Sequence, residues 1–390
     1  MKVVIVGGGF GGVRAALNLA RRPGFDVTLV SKQSYFEYHP ALYRSATGRS
    51  PLEVAIPLAD FFASDNNLEV VEDEIVSLDH QKKSVTGKSG SVFRYDALIL
   101  ATGAVTQYFG IKGLRDYSYG IKTIQEALEL KRHLHEDLVA GHRAERSYVV
   151  IGGGATGVEL AGELVGYLNH VRRRHGINTK FSVDLVEASP RVLPSLPESF
   201  TNQIERRLQR LRVKLHLKTL VKSESADQIK LLRGDIESHT VIWTAGIANN
   251  PFFAQNPNAF KLDKSGKVVV NEYLEAMPGV YVIGDSAATQ FSGMAQTAIH
   301  DANLVTTNLK RQLKHKTRLP YQPAKPIYAI PAGPGWSAVL WGRTKIYGRP
   351  GWLLRRLADL RLYLRFLPLK KALTTWRYGF DLEESCPICR

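Results

Sequence analysis

Glycines spaced Gly-x-Gly-x-x-Gly occur twice in the 390 residues, as Gly7, Gly9 and Gly12 and again as Gly152, Gly154 and Gly157. Glycines at this spacing can hold a pyrophosphate. The first permits a tight turn, the second lets backbone amides approach the phosphates, and the third lets helix and strand pack closely. The phosphates then face a helix N-terminus, whose unpaired N–H groups and dipole favour negative charge. Glu187, closing "VDLVE", is placed to bond a ribose 2′-OH, which favours NADH over NADPH. In the first copy the matching position is Ser31, followed by Lys32. A serine hydroxyl can still bond a ribose, but one carboxylate anchor is missing.

The elements that must carry these glycines are legible on either side. "KVVIVGGGFGGVRAALNLA" (2–20) and "YVVIGGGATGVELAGELVG" (148–166) each join a β-branched run to an apolar pattern at helical spacing. "FDVTLVSK" (25–32) and "FSVDLVEA" (181–188) follow as second strands. Strand, turn, helix and strand, twice over, predict an α/β chain with two Rossmann-like, doubly wound parallel sheets. "YDALILATG" (95–103) and "VYVIGDSA" (280–287) read as further buried strands ending in glycine. A Pro-rich stretch at 318–335 marks a boundary, and a basic, aromatic region follows it.

Composition narrows the setting. The chain carries a formal net charge of +16, which calls for an anionic partner, either nucleic acid or an acidic membrane surface. Its two cysteines, Cys386 and Cys389, lie in the last five residues, so the body has no disulfide framework, as in a reducing compartment. "MKVVIVGGG" runs straight into a strand without a hydrophobic leader, and no run approaches the length of a spanning helix.

Together "GGGATGVELAGEL" (152–164), "YDALILATGAVTQYFGIKGL" (95–114), "TVIWTAGI" (240–247), "VYVIGDSAA" (280–288) and "MAQTAIHDANLVTTNLKRQL" (294–313) resemble the type II NADH dehydrogenases. These are single-subunit NADH:quinone oxidoreductases that do not pump protons. "YHPALYRSATG" (38–48) is similar to a family segment beside the flavin. The resemblance implies FAD on the first glycine turn and NADH on the second. It implies that Asp285 bonds the ribityl chain and that Ala101, Thr102 and Gly103 line the FAD cleft. It places Glu159 at the flavin–nicotinamide–quinone junction as a proton relay. Gln296 matches the first glutamine of the family's A-Q-x-A-x-Q motif, and His300 stands where the second would be. A histidine there can donate to a quinone oxygen, or pack and cap within its helix. The implied organisation is an FAD unit from 1–113 and 251–317, an NADH unit from 114–250, and a membrane-associated region from 318–390.

The absence of cysteine between residues 1 and 385 argues against disulfide and sulfide:quinone reductase chemistry, both of which need cysteines beside the flavin. Quinone is the expected acceptor. A soluble NADH oxidase using oxygen is one alternative, and an NADH-sensing scaffold for nucleic acid or a protein is another. On a helical wheel of "GWLLRRLADLRLYLRFLPLKK" (351–371), Leu353, Leu357, Leu360, Leu364 and Leu367 share one face, with Trp352 and Tyr363 at its edge. Arg355, Arg361 and Arg365 lie opposite, while Arg356 intrudes near the apolar side. The stretch is too short and too cationic to span a bilayer but suits an interfacial helix on anionic lipid. The expectation is a peripheral protein on the cytoplasmic face of the cell membrane, with a second copy of the chain as a candidate partner and with membrane favoured over nucleic acid as the anionic one.

Overall fold

The computed structural model describes residues 1–62, 67–140 and 145–383; Cys386 and Cys389, and any role for their C-x-x-C spacing, lie outside them. The first glycine turn joins strand β1 (Lys2–Val6) to helix α1 (Phe10–Leu19), and β2 (Asp26–Ser31) returns beside β1. β1 pairs in parallel with β2 and with the strand Ala97–Leu100, while Leu68–Glu72 pairs outside β2. Val280–Val282 then adds in parallel to Ala97–Leu100, so residues distant in sequence complete the six-stranded sheet. Val3, Val4 and Ile5 are all buried because both faces of a parallel sheet are covered.

The second turn repeats the arrangement with β3 (Glu145–Ile151), α2 (Ala155–Arg174) and β4 (Lys180–Val186). Here the parallel order runs Val213–His216, β4, β3, Thr240–Trp243. Helix α3 (Ala295–Leu313) packs along α1 and buries Ile299, Ala302, Val305 and Leu309.

After α3 an extended segment crosses to a three-stranded antiparallel sheet of β5 (Tyr328–Pro331), β6 (Ser337–Trp341) and β7 (Thr344–Gly348). This sheet was hidden from sequence reading by the prolines and glycines around it. Helices α4 (Arg349–Phe366) and α5 (Leu369–Tyr378) follow. Among the described residues, no helix is long and apolar enough to cross a membrane.

Helix α4 corrects one expectation. Its inward face carries Arg355, Arg356, Asp359, Tyr363 and Phe366, whereas Leu353, Leu357 and Leu364 are 52%, 46% and 44% exposed. Arg355, expected among the solvent-facing cations, is only 6% exposed. The cause is a set of partners in "YHPALYRSATGRSPLE". Arg44 bonds Glu53 at 2.9 Å and Asp359 at 3.0 Å, and Arg356 bonds Glu53 at 2.8 Å. Arg355 pairs with Asp359 one turn along and donates to the Pro40 carbonyl at 2.8 Å, while the Tyr38 hydroxyl donates to Asp359 at 2.6 Å. Aromatic contacts complete the seat, with Phe36 stacked on Phe366 at 5.8 Å and Tyr38 tilted on Tyr363 at 4.7 Å. Arg361 and Arg365 do face solvent, as expected.

Candidate active site

Both glycine turns have the same geometry. Gly7 and Gly152 each have φ of +111°, which glycine adopts without strain. A Cβ on Gly12 would lie 1.8 Å from the Gly7 carbonyl oxygen, and one on Gly157 would lie 1.8 Å from that of Gly152, so neither position admits a side chain. Gly9 and Gly154 differ, because nothing lies within 4 Å of a Cβ built on either. Each is the N-cap of its helix, has no side-chain cap, and precedes a first turn without acidic residues. The unpaired N–H groups therefore face open space that suits a pyrophosphate. The residues present fit a dinucleotide at each turn.

The positions after the second strands are also equivalent. Ser31 lies beneath Gly8, its hydroxyl oxygen 2.5 Å from where a Cβ would sit, and Glu187 lies beneath Gly153. Glu187 accepts from the N–H of Gly153 at 2.5 Å and of Ser189 at 2.7 Å, which fixes its carboxylate at the strand end. Ser31 is buried and donates to the Gln33 carbonyl at 2.8 Å. Lys32 turns away and pairs with Glu74 at 3.0 Å on the surface, so the fold does not bring it into the cleft.

Around the first turn the expected residues converge. A Cβ on Gly7 would meet the Ala101 carbonyl oxygen at 2.3 Å. The Ser286 hydroxyl donates to the Gly103 carbonyl at 3.1 Å and lies 3.3 Å from the Thr102 hydroxyl. Gly284 (φ +71°) turns the chain so that Asp285 follows at the same strand edge. Gly7, Ala101, Thr102, Gly103 and Asp285 thus border one cleft at the carboxyl ends of the strands.

Glu159 sits in the second turn of α2, near the segment from Tyr43 to Arg44. It is half-buried, and its carboxylate has no hydrogen-bond or ion-pair partner among the described residues. Burial pushes its pKa up to about 8, against the pull of Arg355 and Arg44 and with a small push from Glu163. Glu163, one turn along the same face, is raised chiefly by burial too. Sequence reasoning missed both Glu163 and Arg355 here, although the four-residue spacing of Glu159 and Glu163 was a usable signal.

Gln296 and His300 lie one turn apart on α3, but their polar atoms hold the segment that leaves it. Gln296 donates to the Ile327 carbonyl at 2.8 Å and accepts from the Ile327 N–H at 3.2 Å. His300 Nε2 lies 2.8 Å from the Gln322 carbonyl, which requires the proton on that nitrogen. In this structure the polar atoms of both residues are engaged by the backbone of residues 322 and 327.

Two strand–glycine turn–helix units of the same geometry in one chain are the architecture of a pyridine-nucleotide-linked flavoprotein, and comparison with known proteins agrees. The pyridine nucleotide-disulphide oxidoreductase family model matches residues 1–302, although that span has no cysteine. The chain is 32% identical over 340 residues to a type II NADH:quinone oxidoreductase of Mycobacterium tuberculosis, covering 80% of this chain and 73% of that one. It is 25% identical over 385 residues to the type II NADH:quinone oxidoreductase of Staphylococcus saprophyticus, covering 92% and 94%. The structure of NDH2 from Plasmodium falciparum in complex with NADH has the same fold, with a TM-score of 0.86 over 97% of each chain at 17% identity. The chain belongs to the type II NADH:quinone oxidoreductases, within the pyridine nucleotide-disulphide oxidoreductase family.

Proposed function

We propose that the chain takes reducing equivalents from NADH and delivers two electrons to a membrane quinone, with Glu159 as the proton-holding group. FAD, when bound, would supply the hydride and electron chemistry that links NADH to the quinone. The discontinuous unit of residues 1–113 and 251–317 holds FAD, with Gly7, Gly9, Gly12 and Ser31 at the adenosine diphosphate. Ala101, Thr102, Gly103 and Asp285 border the remainder of that cofactor. Residues 114–250 hold NADH, with Gly152, Gly154 and Gly157 at the pyrophosphate and Glu187 at the ribose. Glu187→Gln is expected to narrow the preference for NADH over NADPH roughly tenfold, read as the ratio of kcat/KM values, because a charge-assisted bond to the 2′-OH weakens.

The observation that carries the acid role is the unpartnered carboxylate of Glu159, whose burial keeps it protonated at neutral pH. A neutral carboxylic acid beside an acceptor can donate the proton that quinone reduction requires. Gln296 and His300 act one step back, by holding residues 322 to 327 across α3.

The outward leucines of α4 and α5 support peripheral membrane association, and we place it on the cytoplasmic face. Leu353, Leu357, Leu364 and Leu369 are exposed, as is Trp341 (63%) at the β6–β7 hairpin, and Arg361, Arg365, Lys370 and Arg377 lie on the same two helices. Leucines dipping below a basic rim suit anionic lipid, where each cation contributes about 1 kcal/mol. Leu357→Glu removes exposed apolar surface and adds a repelled charge. It is expected to weaken binding to anionic vesicles roughly tenfold or more. NADH-dependent reduction of a long-tailed quinone in vesicles should fall with it, while a soluble short-chain quinone is reduced at the wild-type rate. Equal losses on both substrates would overturn the docking role.

A further inference from the structure

The linchpin of the Asp285 turn is a residue to which neither the glycine turns nor the proton chemistry gives a role. Asp301, on the buried side of α3, is 0% exposed, and its Oδ2 accepts the Gly284 N–H at 3.0 Å. Gly284 is the residue whose left-handed backbone (φ +71°) directs the chain into Asp285 and Ser286. Its position against α3 is close, since a Cβ there would lie 3.3 Å from that of Ala298.

We propose that Asp301 is a positioning residue for FAD, holding the Gly284 turn so that Asp285 is presented to the cofactor; this rests on Asp285 lying at the FAD. The bond ties the cofactor-binding turn to α3 by a buried carboxylate, and hydrogen bonds accepted by ionised groups are the stronger ones. Few alternatives exist for that N–H, because it is buried and a lost acceptor leaves it unpaired. The remaining oxygen, Oδ1, makes no hydrogen bond. Tyr321, from the segment pinned by His300, lies near enough to act on the charge of Asp301 without a well-formed bond, as do His300 on α3 and Asp285 across the turn. Burial is the main cause that raises the Asp301 carboxyl, to about 6, so it is mostly ionised and purely an acceptor at neutral pH.

The test is FAD release from the holoprotein after dilution, followed by the rise of flavin fluorescence. Asp301→Ala is expected to release FAD roughly tenfold faster, because the Gly284 N–H loses its acceptor. Asp301→Asn keeps an acceptor oxygen in place and is expected to stay within about threefold of wild type. If Asp301→Ala does not fold, Asp301→Leu fills a similar volume without an acceptor and carries the same expectation. Asp285→Ala serves as the reference. If it speeds release and Asp301→Ala does not, the Asp301 assignment fails while the FAD site stands. If neither speeds release, the site and the assignment both fail. If Asp301→Asn is as weak as Asp301→Ala, the accepting role is wrong.

Discussion

Glu159→Gln is expected to slow quinone reduction by about a hundredfold or more while leaving the reduction of bound flavin by NADH near the wild-type rate. Positioned general acids contribute roughly 10²–10⁴ in rate, and glutamine keeps the shape without a transferable proton. The selectivity of the loss separates a proton role from a packing role, because a distorted α2 would also disturb the NADH turn at its N-terminus. The pH profile should change as well. With its carboxyl raised from 4.5 to about 8, Glu159 is protonated at neutral pH, so wild-type quinone turnover should fall as pH rises through about 8. That limb should be absent in Glu159→Gln. The same shift fixes the sign of its effect on stability. A carboxyl whose folded pKa is raised contributes most below 4.5, and this contribution is lost as pH rises through about 8. Stopped-flow flavin reduction and steady-state quinone turnover, measured side by side from neutral to alkaline pH, check each part.

Asp359→Ala is expected to lower global stability by about 3–5 kcal/mol, the usual cost of removing one partner from a buried charge network. Asp359 is wholly buried and is bonded by Arg44, Arg355 and the Tyr38 hydroxyl. Without it, Arg44 and Arg356 retain Glu53, whereas the bond that Arg355 retains is to the Pro40 carbonyl. The network joins residues 38–53 to α4, so the loss should also loosen the helix that presents the leucines. Urea unfolding measures the stability change, and proteolysis within residues 349–378 measures the loosening. A stability loss below about 1 kcal/mol would mean that solvent already reaches these charges.

The two nucleotide folds were legible in the sequence because each rests on local rules. β-Branched runs, glycine spacing and helical periodicity act within about thirty residues, and Gly7 and Gly152 take up the backbone that their motif requires. The six-stranded sheet needed Val280–Val282 to return beside Ala97–Leu100, and only "VYVIGDSA" hinted at it. The C-terminal helix shows where local reading stops. A wheel sorts residues by polarity, but the structure turns Leu353, Leu357 and Leu364 outward on the same exposed side as Arg361 and Arg365 and buries Leu367. The wheel assigned Arg355 outward because Asp359, Glu53, Arg44 and Tyr38 become its environment only after folding. Gln296 and His300 show the same limit, since their partners at Ile327 and Gln322 lie on a segment without a periodic signal. The place of Glu187 directly after its strand, by contrast, was legible from the sequence alone.

That electrons from NADH leave this protein on a quinone is tested by loading the protein with FAD and measuring NADH oxidation with a soluble quinone and with oxygen alone. Turnover with quinone is expected to be many times faster than with oxygen, with an NADH-to-quinol yield of one to one. NADH oxidation no faster with quinone than with oxygen would contradict it.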